Sequence, residues 1–207
     1  MPLIEDDEQY SVKKLLLLGL PSFILAVFIS FTTHEYAHIV VSKAVCGSAQ
    51  ENILHEVSFG TVQENHSMCA MSSFAGISWT FFLALASFGM FMRHPRNLFI
   101  ASMAFINASS RIPETVTVFL QMLFHSRAKL VVDESSSIAL LNLHDPTIAV
   151  LILFFFSLSI VCLTITVLHD VKMMKWKWPI ALILFILMGP LEHLIWKVIG
   201  PFLLTLS

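Results

Sequence analysis

His34-Glu35-Tyr36-Ala37-His38 stands inside an apolar run and holds the residue types with the most chemistry to offer. On a helix, positions i and i+4 lie on one face, so the two imidazoles can reach a single cation. Zinc–nitrogen bonds of about 2.0–2.1 Å suit that spacing. Glu35 adjoins the first imidazole but is turned about 100° around the helix. From there it can hold a water against the metal and take its proton. Zinc brings the pKa of such a water from 15.7 to about 7, which gives a nucleophile at neutral pH. The pattern points to metal-assisted hydrolysis, with His34 and His38 as ligands and Glu35 as the catalytic base. Without a metal, three such side chains in an apolar helix are costly unless they bond to one another or to neighbouring helices.

A catalytic zinc takes three protein ligands and keeps one position open. The third ligand must come from elsewhere in the chain. Asp133 is the first candidate. It follows the mostly apolar stretch 128–132 and precedes three serines. The competing reading is an acidic loop that caps a helix at Ser135. Glu134, His144, Asp145 and Glu192 are the other candidates. Glu192 and His193 lie within the last apolar run, beside Gly189-Pro190. An intramembrane carboxylate is a functional candidate by default. Glu192 either orients a ligand histidine or pairs with an Arg or Lys of another span. His55, His66, His94, His125 and His169 sit in loops or at span ends and read as surface residues. Cys46, Cys69 and Cys162 show no CxxC spacing and read as small hydrophobes.

The elements that must position these residues follow from composition. The chain has 207 residues, 57% apolar and only 13% charged, with mean hydropathy +0.80. A soluble domain carries about 25% charge, so this chain has too little polar surface for a cytosolic globule. It is expected to be an all-α, polytopic membrane helix bundle, integral to a bilayer. With a net charge of −2 and no basic block, nucleic acid is not an expected partner. Residues 1–14 read as an acidic tail and 15–207 as one transmembrane domain. The tail does not resemble a signal peptide.

About five spans are expected, each needing about 20 residues. The first runs over 15–45, bent near Gly19 and Pro21. The second covers 68–92, and a third starts at 98 and ends near Ser109–Pro113. Residues 115–124 form either the tail of a Pro-broken third helix or a re-entrant piece. The fourth is 148–168 and the fifth 179–204. Residues 53–62 alternate loosely and suggest a small hairpin. Lys13, Lys14, Arg93, Arg96, Lys172, Lys175 and Lys177 fall on one side of this layout. That bias puts the N-terminus in the cytoplasm.

Thr33-His34-Glu35-Tyr36-Ala37-His38, followed by Ser73-Phe74-Ala75-Gly76 and then by Asn107 with Pro113, resembles the site-2 proteases. These are intramembrane zinc metalloproteases that cut a membrane-anchored protein within or near its span. The resemblance covers about residues 34–134. It implies zinc as cofactor, Asp133 as third ligand and Asn107 as a residue that binds substrate backbone. In the family the third ligand is an Asp followed by Gly, whereas Asp133 is followed by Glu134. Two other readings compete with a protease: a catalytically inactive membrane scaffold, and a metal transporter or sensor. Transport calls for ionisable residues across several spans, and here only the first and last carry them.

Overall fold

The computed structural model describes residues 15–46, 71–123, 147–170 and 177–206. All of its elements are helices, in an all-α bundle. The possible hairpin at 53–62 lies outside the described residues.

Helix α1 spans Leu20–Cys46 and is preceded by a π-helical turn, Leu15–Gly19. Pro21 has no N–H to donate one turn back, so the backbone is irregular where Gly19 and Pro21 predict it. Helix α2 is Met71–Arg93 and ends on a cation that suits its C-terminal dipole. A tight turn follows, in which Asn97 N–H donates to His94 C=O at 2.9 Å. Asn97 then caps α3, Leu98–Ser109, by accepting from the backbone N–H of Phe99 and Ile100, each at 3.1 Å.

Helix α3 has only 12 residues, about 18 Å of rise, and is too short to cross a hydrocarbon core of about 30 Å by itself. The chain breaks at Ser110 and restarts as α4, Arg111–Leu123. Pro113 falls in the first turn of α4, where a missing N–H is tolerated. Ser110 keeps a helical φ of −60° and ψ of −30° and its N–H donates to Ile106 C=O, so 115–123 fit the tail of a Pro-broken helix; they pack on α5, Thr147–Asp170. The last helix, α6, is Lys177–Leu206, with Pro190 and Pro201 inside it.

Helices α1, α2 and α3 pack closely on one another. Helix α5 packs on α3 and α4, and α6 lies mainly against α1. Phe23, Ala26 and Val27 of α1 meet Ala84 of α2, Ile106 of α3, Ile160 of α5 and Met188 of α6 in the apolar centre. The surface is the reverse of a soluble protein's. Leu25, Phe82, Leu85, Ile152, Phe155 and Ile186 are exposed, whereas Ser30, His34, His38, Thr80, Asn107 and Arg111 are buried. Lipid tails accept the apolar faces, and polar side chains serve as contacts between helices. Among the described residues, three segments are long and apolar enough to cross a membrane: Leu17–Ala44, Phe74–Arg93 and Thr147–Val167. A shorter apolar stretch, Pro179–Ile195, lies in α6.

Candidate metal centre

The i, i+4 ladder of α1 decides what it buries. Ser30, His34, His38 and Ser42 all face inward, and Tyr36 on the other side is half exposed. His34 and His38 are only 8% and 6% exposed. Their rings meet edge to face, with centroids 4.7 Å apart, and their Nε2 atoms are 3.1 Å apart. Two nitrogens bound tetrahedrally to one zinc at about 2.05 Å are about 3.3 Å apart. The pair thus has the bite of a chelate.

Helix α2 supplies the wall opposite the pair. Gly76 is the critical residue. A Cβ there would lie 2.2 Å from His38 Nε2 and 2.5 Å from His34 Cε1. The absent side chain lets the two rings pack directly against α2. One turn on, Thr80 Oγ1 lies 2.8 Å from His34 Nδ1 and donates to the Gly76 carbonyl at 2.9 Å. Burial and the spacing of the two nitrogens suit a zinc-sized cation held by His34 and His38.

Helix α3 closes the third side. Asn107 Nδ2 donates to Ser30 Oγ at 2.9 Å and to the Met103 carbonyl at 2.8 Å. Ser30 lies one turn before His34, so this bond ties α3 to the ligand-bearing face of α1. Asn107 Oδ1 is buried and accepts no hydrogen bond. A buried, unsatisfied acceptor of this kind marks either strain or an absent partner.

Glu35 is partly buried and lies within electrostatic reach of Glu192 on α6. Glu192 also lies within electrostatic reach of Arg111, a buried residue at the start of α4 whose Nη1 holds Glu114 Oε2 at 2.6 Å. His193 is exposed.

Among the described residues, no group of three His, Cys, Asp or Glu side chains could hold a metal ion. Glu192 is described and does not join the histidine pair. Asp133, Glu134, His144 and Asp145 lie outside the described residues. Thr80 and Ser30 are the residues that sequence reasoning misses. One signal for Thr80 was present: it stands one helical turn after Gly76, in a span whose other hydroxyl residues are all serines. Searches of protein-family models, curated proteins and solved structures find no match to the chain.

Proposed function

We propose that the protein is an intramembrane zinc metalloendopeptidase that cleaves a membrane-anchored protein substrate. The observation that carries this reading is the buried His34–His38 pair, with Nε2 atoms 3.1 Å apart and the rings packed directly against Gly76. His34 and His38 would hold the ion, and Asp133 is the proposed third ligand. Bound there, zinc acidifies a water and polarises the scissile carbonyl.

The chain's own residues do the rest. Glu35, one position from His34, takes the proton of the attacking water and returns it to the leaving amine. Asn107 Oδ1 lacks a hydrogen-bond donor among the described residues, and a backbone N–H of an extended substrate would satisfy it. That role requires the substrate helix to unwind, because a helix uses its own N–H and C=O groups. The apolar wall keeps bulk water from the reacting atoms. Helices α1, α2 and α5 cross the bilayer in this reading and α6 adds a further crossing; Lys13, Lys14, Arg93 and Arg96 still share one side, which this reading puts in the cytoplasm with the N-terminus.

Glu35→Gln tests the mechanism. The variant is expected to keep its zinc and to lose cleavage of a co-expressed membrane-anchored substrate. Undiminished cleavage removes Glu35 from the chemistry. A cellular phenotype that Glu35→Gln leaves intact identifies a non-catalytic scaffold instead.

A further inference from the structure

Zinc binding requires two bare nitrogens on His34 and His38. The hydrogen-bond chain around them determines which histidine supplies one without change. Thr80 Oγ1 carries one hydrogen. It lies 2.9 Å from the Gly76 carbonyl, and a carbonyl can only accept. With the hydroxyl hydrogen on Gly76, lone pairs remain toward His34 Nδ1 at 2.8 Å, and the matching tautomer of His34 carries its ring hydrogen on Nδ1. In that tautomer His34 Nε2 is a lone pair.

His38 Nε2 faces that lone pair at 3.1 Å. Two bare nitrogens repel at this distance, so something positive must lie between them. Without a metal it is the hydrogen of His38 Nε2–H. With a metal it is the ion, and the hydrogen of His38 must move to Nδ1. We propose that Thr80 is a positioning residue that locks His34 in its metal-ready tautomer, so that only His38 changes tautomer when zinc binds. The proposal rests on the zinc reading above. Thr80 is suited to the task because it is buried, its β-branched side chain is stiff, and its bond to Gly76 one turn back fixes the hydroxyl. Gly76 contributes twice: its carbonyl ends the chain of hydrogen bonds, and its missing Cβ leaves room for the ring pair.

The test uses the full chain in detergent micelles with ¹⁵N-labelled histidine. Ring nitrogen shifts are recorded metal-free and zinc-loaded, and zinc affinity is measured by competition with a chromophoric chelator. The wild type is expected to show His34 as Nδ1–H in both states, and His38 as Nε2–H that converts to Nδ1–H with zinc. Thr80→Val keeps the shape and removes the hydroxyl. It is expected to release His34 from its single tautomer and to weaken zinc binding about 10–100-fold. Thr80→Ser restores both, and equal unfolding temperatures for the two variants confirm that both fold. Wild-type affinity and tautomer in Thr80→Val overturn the proposal. So does a Thr80→Ser variant as weak as Thr80→Val, because the residue then acts by packing. A wild type that binds no zinc overturns the metal reading instead, and the metal-free spectra still decide what Thr80 does to His34.

Discussion

Gly76→Ala is the sharpest steric perturbation the site offers. The new methyl would lie 2.2 Å from His38 Nε2, 2.5 Å from His34 Cε1 and 2.6 Å from His38 Cε1. Ordinary contacts begin near 3.5 Å, so the rings or α2 must give way by about 1 Å. The rings have little freedom. Both are buried, and His34 is held by Thr80. Ligand distances at a metal tolerate about 0.2 Å. A displacement several times larger separates the two nitrogens from a common ion. Zinc affinity is expected to fall by at least about 100-fold, in line with the cost of a 1 Å misplacement at a reacting centre. Overpacking adds a loss of about 1–3 kcal/mol in stability. Chelator competition and thermal unfolding in detergent measure the two effects. Gly89→Ala on the same helix is the control, since its Cβ meets nothing within 4 Å. A Gly76→Ala protein with wild-type zinc affinity and stability refutes the reasoning, because the space beside the histidines would then not be needed.

Further expectations concern the other two faces of the site. Asn107→Ala removes one bond to Ser30 and should cost about 0.6–1.7 kcal/mol, the range for hydrogen bonds between membrane helices. Its cleavage rate should fall much further while zinc content stays unchanged; equal losses in a Ser30→Ala variant that keeps Asn107 would assign the effect to packing. Arg111→Met removes the Arg111–Glu114 ion pair and a cation within electrostatic reach of Glu192. It should destabilise by about 3 kcal/mol, and adding Glu114→Gln and Glu192→Gln should recover part of that in thermal unfolding. No recovery means the carboxylates were not the cause.

The histidine pair was legible in the sequence because its geometry is local. An i, i+4 spacing fixes which side chains share a face before any tertiary contact forms. The break near Ser110 and the irregular start of α1 were legible for the same reason, since Pro113, Gly19 and Pro21 act on their own backbone. The expected third span differs in the structure. An apolar run shows what a segment can do in lipid, but α3 ends after 12 residues, and α4, which follows after Ser110 alone, packs on α5. Thr80 and Ser30 were not legible as parts of the site. A lone hydroxyl in an apolar helix bonds to the carbonyl one turn back almost anywhere, as Thr115 and Thr164 do here. Only the approach of α2 and α3 to α1 gives Thr80 and Ser30 partners far away in sequence. Asp133 rests on sequence alone, since it lies outside the described residues.

Everything proposed for this protein depends on a metal at the histidine pair. The most direct measurement is zinc per chain in the detergent-purified protein, prepared without chelator, beside His38→Ala prepared in the same way. About one zinc per wild-type chain and none in the variant is the expected result. No zinc in the wild type, or equal zinc in both, contradicts the account and leaves His34 and His38 as a buried polar contact between α1 and α2.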